Sequence, residues 1–231
     1  CDAVVVWASL NKKLGRAAIK SFVVEKGTPG MELVRLDKKL GIKASDTATI
    51  RFENCRIPKQ NLLGNPEIDT QKGFGGVMQT FDNTRPVVAA MAVGVARASI
   101  ELTQSLLKSA GVIGDYAEPI NNSLASEAEL YRMEADLEAA RLLTLKAAWM
   151  ADNGLPNSKE ASMAKAKAGR TANQVTLKCA ELCATVGYSE SHLLEKWARD
   201  SKILDIFEGT QQIQQLIVAR RMLDKNSSEL K

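Results

Sequence analysis

Two periods divide the chain. Over residues 3–55 the apolar positions fall in short strand-like runs: 3–10 (AVVVWASL) and 20–25 (KSFVVE) flank a polar turn at 11–15 (NKKLG), as in a hairpin. Residues 27–30 (GTPG) carry strong turn chemistry, and 47–55 (TATIRFENC) alternates as a further strand. A linker at 58–74, with Gly64, Pro66 and Gly73, closes the β region.

Beyond it the period becomes helical. Pro86 suits the first turn of a helix capped by Thr84 and running to about Lys108. A loop at 111–122 precedes a second helix, 123–152, with apolar positions Tyr131, Leu142, Leu145 and Trp149 and a stop at Gly154. A third runs 158–186 and is closed by Gly187; a fourth covers 193–206; Thr210 caps a fifth ending at Leu223. Consecutive helices with short connections predict an antiparallel bundle.

Composition agrees: 5% aromatic residues and abundant Ala favour packed helices over a sandwich, and 231 residues suffice for one large domain or two modest ones. The net charge of +4 is mild, and no basic cluster is interleaved with aromatics, which argues against nucleic acid. No run approaches the roughly 20 apolar residues of a membrane span; the longest, 86–96, is interrupted by Gly94. The chain opens on Cys1, directly into a strand-like run, as a fragment or processed chain would, so targeting is not readable. Cys179 and Cys183 share a helix face; with His192 as the single histidine no metal set is expected, and the cysteines read as buried thiols.

The candidate chemistry lies at 207–210 (FEGT). An acidic residue, Glu208, is held in a tight turn between helices, Gly209 permits positive φ, and Thr210 can cap the next helix. Ile206, Phe207 and Ile213 are apolar, and a carboxylate desolvated in such a cleft is a stronger base. The pattern alone also fits a solvated Glu at a helix–helix turn. Residues 81–86 (FDNTRP) form a second candidate, an anion site at a helix N-terminus beside an arginine, or an ordinary cap. No nucleophile elbow, Walker loop or dinucleotide fingerprint is present.

Together these segments resemble the acyl-CoA dehydrogenase family over nearly the whole chain. The resemblance is carried by 22–30, by Leu40-Gly41-Ile42 and Ser45-Asp46-Thr47, by 50–54 and Ile57-Pro58, and by 81–90 (FDNTRPVVAA), which is similar to medium-chain members. Arg199-Asp200 followed by 206–210 (IFEGT) and Gln212-Ile213-Gln214 resembles the most specific signature. The resemblance implies an α+β chain: the C-terminal part of a middle β-domain (1–75), then a C-terminal four-helix-bundle-type domain (76–231) that builds a tetramer. It implies FAD as cofactor, acyl-CoA as substrate, α,β-dehydrogenation to the trans-2-enoyl-CoA, and an electron-transferring flavoprotein as acceptor. The location it implies is cytoplasmic or mitochondrial matrix. By it Glu208 is the base that takes the α-proton; Asp82, Arg85 and Gly209 lie against the substrate; Thr210, Gln211 and Gln212 lie near the flavin's phosphate and adenosine portion.

Two stretches depart from the family pattern. Where an Arg-x-x-Phe-Gly-like stretch would grip a neighbour's FAD, the chain reads Ala110-Gly111-Val112-Ile113-Gly114. Where Gln-x-x-Gly-Gly would approach the pyrophosphate, it reads Glu181-Leu182-Cys183-Ala184-Thr185. Both bear on holding a neighbour's cofactor. The alternative expectation is therefore a non-catalytic or cofactor-deficient partner subunit in a hetero-oligomer.

Overall fold

Alternation in the first run forms a β-hairpin: β1 (Ala3–Ser9) pairs antiparallel with β2 (Ile19–Glu25) in the register Ala3↔Glu25 to Ser9↔Ile19. The connection is a 3-10 segment, Lys12–Ala18, opened by Asn11, whose Oδ1 accepts from the Lys13 N–H at 3.0 Å. The structure, a computed structural model, describes residues 2–70, 75–112, 119, 124–225 and 229. The chain divides into two units, Cys1–Lys39 with Lys43–Met78, and Leu40–Ile42 with Gln79–Lys231.

Two strands of the β unit lie outside the sequence expectation. β3 (Met31–Leu36) pairs antiparallel with β4 (Ala48–Phe52), with an irregularity between Leu33 and Arg35. The short β5 (Leu62–Leu63) adds to β2 from within the supposed linker. Both escape periodicity because β3 is exposed along most of its length and β5 is too short to alternate. Gly30, at φ +88°, ends the turn before β3; a Cβ there would lie 2.4 Å from the Glu53 carbonyl.

The helical unit contains α1 (Gly75–Ser109), α2 (Ala125–Asp152), α3 (Ser158–Leu182), α4 (Ala184–Tyr188), α5 (Leu194–Ser201) and α6 (Gln211–Met222). A 3-10 segment, Lys202–Asp205, follows α5. Its core is built on small residues at helical spacing: Ala89, Ala92 and Ala96 on α1 and Ala161, Ala164, Ala168 and Ala172 on α3 are fully or almost fully buried. Such rows let helix axes approach closely, as ridge-into-groove packing requires. The bundle expectation holds, with three corrections to its parts.

First, α1 begins at Gly75, so Pro86 is internal to the helix and Thr84 caps nothing. A proline inside a helix leaves the carbonyl four residues earlier without its N–H donor. That carbonyl belongs to Asp82, and the buried Asn157 supplies a donor from the start of α3, Nδ2 to O at 3.4 Å, while also donating to Ala147 O at 3.1 Å. By length and composition α1 could cross a bilayer, which the interruption at Gly94 obscured; its Val88–Ile100 face lies in the bundle core.

Second, the third helix breaks at Cys183, with Ala184 at φ +48°, and Gly187 sits inside α4 rather than stopping a helix. Gly187 is required for packing instead, since a Cβ would meet the Ala180 carbonyl at 2.3 Å.

Third, Leu142, Leu145 and Trp149 face outward, each more than half exposed, while Ala140, Thr144 and Ala147 turn inward. The small residues win the interior because α2 packs closely on α3. Cys179 and Cys183 are buried, as expected. The loop expected at 111–122 lies largely outside the described residues.

Candidate active site

The turn between the 3-10 segment and α6 carries Glu208 in the left-handed region, φ +58°, followed by Gly209 at φ +97°. A non-glycine residue at positive φ costs about 1–2 kcal/mol, so its surroundings must hold it there. They do so from three sides. From α1, Thr84 Oγ1 donates to Glu208 Oε2 at 2.7 Å. From α6, the fully buried Gln214 donates through Nε2 to the carbonyls of Glu208 (2.9 Å) and Gly209 (3.1 Å). From α3, Lys165 Nζ donates to the Gly209 carbonyl at 2.7 Å.

On either side of Thr84 the same helix carries the two members of a charge pair. Arg85 is 4% exposed; its Nη1 donates to Asp82 Oδ1 at 2.7 Å and its guanidinium lies 5.7 Å from the Phe81 ring centroid. Burial lowers the Arg85 pKa, against the favourable charges of Asp82 and Glu208. Burial likewise raises that of Asp82, against Arg85, a Ser158 hydrogen bond and Arg221. The helix-N-terminus anion site expected at 81–86 is corrected: these residues lie within α1, whose peptide N–H groups are already committed to the helix. Asp82 instead borders a cavity of about 630 Å³ together with Asn83, Asn157, Lys159 and Arg221. Neither Glu208 nor Arg85 lines that cavity.

Of the residues expected near a cofactor, Thr210 and Gln212 are exposed at the start of α6, whereas Gln211 is buried, its amide donating to Ala166 O at 2.7 Å and to Asp205. Thr210 occupies the N-cap position with extended backbone, but its side chain makes no capping bond. Glu208 itself is half-buried: Phe207 packs against the core, while Ile206 and Ile213 are each 45% exposed. The expected apolar enclosure is thus one-sided within this chain.

The turn is anchored further along α3. Gly169 lets the chain approach so closely that a Cβ would meet Leu204 O at 2.7 Å. Asn173 donates to Ser201 O at 3.0 Å, and Thr176 and Ser201 share a hydrogen bond of 2.9 Å. Leu40–Ile42 belongs to this unit: Ile42 N–H donates to Asp200 Oδ1, and a Cβ on Gly41 would strike the Arg199 carbonyl at 2.3 Å. Sequence reasoning missed Lys165, Gln214 and Asn157. A signal for Lys165 existed: it falls among Ala161, Ala168 and Ala172, on the apolar face of α3, where a cation is out of place.

The profile described as the acyl-CoA dehydrogenase C-terminal domain matches residues 71–223, and the chain belongs to the acyl-CoA dehydrogenase family. It is 39% identical over 222 residues to the mitochondrial short-chain specific acyl-CoA dehydrogenase of Bos taurus, covering 96% of this chain and 52% of that protein. The butyryl-CoA dehydrogenase structure from Megasphaera elsdenii superimposes with a TM-score of 0.85 at 32% identity, over 96% of this chain and 56% of that one. A chain from structural work on the electron transferring flavoprotein of Acidaminococcus fermentans gives 0.85 at 33%, over 96% and 57%. The chain therefore spans about half the length of the relatives it matches.

The departures from the family pattern fall at a defined place. Glu181 is exposed at the end of α3 and pairs with Lys178 at 2.8 Å, and Ala184 holds a left-handed backbone that glycine adopts without strain. Of the other stretch, Ala110 to Val112 are described, and residues 113 and 114 lie outside the described residues.

Proposed function

We propose that the full-length protein dehydrogenates an acyl-CoA thioester between its α and β carbons, with Glu208 as the base. The observation that carries this reading is the Glu208 carboxylate itself, held on a strained turn by hydrogen bonds from α1, α3 and α6 in a chain of this family. The α-proton passes to a Glu208 carboxylate oxygen. The C–H electron pair left on the α-carbon forms the new double bond as hydride departs from the β-carbon. FAD, when bound, supplies the hydride acceptor.

The residues that would meet such a group in this reading suit it. Thr210 and Gln212 offer side-chain hydrogen bonds, and the first peptide N–H groups of α6 have no helical acceptors, which favours a phosphate. Gln211, turned inward, takes the part of a turn support instead. On the substrate side, the cavity beside Asp82 is of a size for part of an extended ligand, and its wall carries both signs of charge, Lys159 beside Glu160 and Arg221 beside Asp82, with Arg221 the cation offered to a phosphate of CoA in this reading. Arg85, being buried, orients Asp82 in this reading and stays off the ligand. Re-oxidation by an electron-transferring flavoprotein and assembly as a tetramer complete the proposal, in keeping with the relatives' family.

Glu208→Gln in the full-length protein tests it. The substitution keeps the shape and removes the base, and turnover of a short acyl-CoA is expected to fall by about 10³-fold or more with flavin content unchanged. Unchanged turnover would overturn the assignment and leave the chain as the partner subunit of another dehydrogenase.

A further inference from the structure

Lys165 is a cation with 0% exposure in the middle of a helix. Burying an ammonium is costly, and here the cost is visible: desolvation lowers its pKa to about 8, against the favourable charges of Asp205 and Glu208, with Arg85 on α1 adding to the depression. The hydrogen bond it makes in return goes to a main-chain carbonyl, that of Gly209. Gln214, also fully buried, divides its amide between the carbonyls of Glu208 and Gly209, and its Oε1 has no partner among the described residues. Gln211, the other α6 residue turned this way, is committed to Ala166 and Asp205.

Two successive carbonyls are therefore held by two buried side chains from different helices, at the two residues with positive φ. Fixing the peptide groups on both sides of Gly209 fixes the backbone from which the Glu208 side chain departs. A charged donor makes a hydrogen bond roughly twice as strong as a neutral one. An apolar side chain of similar shape would avoid the desolvation penalty but leave the Gly209 carbonyl to Gln214 alone, so what the lysine adds at this site is its hold on that carbonyl.

Building on the reading of Glu208 as the base, we propose that Lys165 and Gln214 are its positioning residues, forming a clamp on the Glu208 and Gly209 carbonyls that aims the carboxylate at the substrate's α-carbon.

The test uses the full-length flavoprotein with Lys165→Met, Gln214→Met and Glu208→Gln in parallel. The readouts are kcat and KM across pH, flavin content, and α-proton exchange of a CoA thioester in D₂O. Lys165→Met is expected to lower kcat and exchange together by about 10-fold or more, because a small misplacement of a reacting group is expensive. KM should stay within about 3-fold, since ground-state binding is not touched. Wild-type kcat should decline above pH 8, where Lys165 loses its proton, and that limb should vanish in Lys165→Met. Wild-type-like kcat and pH profile in both Met variants would overturn the clamp. Should Lys165→Met not accumulate as folded flavoprotein, Gln214→Met decides: a fall in kcat and exchange together at near-constant KM sustains the proposal, and wild-type values overturn it. Full activity in Glu208→Gln refutes the base assignment itself, whereas an inactive Glu208→Gln beside normal Met variants refutes only the clamp.

Discussion

Thr84 Oγ1 donates a 2.7 Å hydrogen bond to Glu208 Oε2, joining two residues 124 positions apart. Thr84 comes from the middle of a helix, Glu208 from a turn, and the bond fixes one carboxylate oxygen while leaving the other for chemistry. Replacing Thr84 with Val keeps the volume and removes the donor. Without this bond the carboxylate is free to turn, and a small misplacement of a reacting group is expensive, so kcat should fall by about 10-fold with little change in KM. Steady-state kinetics on the full-length protein check this.

Asn157 is the donor that compensates Pro86. Asn157→Leu would leave the carbonyls of Asp82 and Ala147 without this amide. A loss of about 2 kcal/mol is expected, lowering Tm by about 4–8 °C. Thermal melting measures it, and because Asp82 bonds Arg85, a rise in substrate KM should accompany it.

Gly169→Ala would ordinarily strengthen a helix by about 0.5–1 kcal/mol. Here the added methyl would sit 2.7 Å from the Leu204 carbonyl. The 3-10 segment must move, and Glu208 with it. A lower Tm and a lower kcat at unchanged flavin content are expected; a variant with higher Tm and full kcat would show that the turn tolerates the shift.

Lys165 also makes stability depend on pH with a definite sign. Its folded pKa is about 8 and its ordinary value 10.5, so between these the unfolded chain holds the proton and the folded one does not. Unfolding then takes up a proton, and this group's contribution makes the protein more stable as pH rises through that window. Lys165→Met has no such dependence. The Tm of wild type relative to Lys165→Met should therefore rise between pH 8 and pH 10, as paired melts at several pH values would show.

The hairpin and the helices were legible because their apolar periods are long and regular. Strand β3, exposed along most of its length, offers periodicity nothing to detect. The early start of α1 was hidden by Pro86, which reads as a helix opening until Asn157 is known to repair its lost bond. At the site, Glu208 and Gly209 were visible as a turn between helices. Their supports were not, because Lys165 and Gln214 reach the turn only through tertiary packing. For Asp82 and Arg85 the sequence suggests an acid beside an arginine that it can orient, which the structure bears out, but it misplaces them at a helix end.

The face of α3 that steadies the turn, from Lys165 through Gly169 to Asn173 and Thr176, is inside the bundle. The outward row Leu142, Leu145 and Trp149 on α2 belongs to a different surface. Substitutions in one need not disturb the other, so what α2 meets on its outward side can change without moving the turn that carries Glu208.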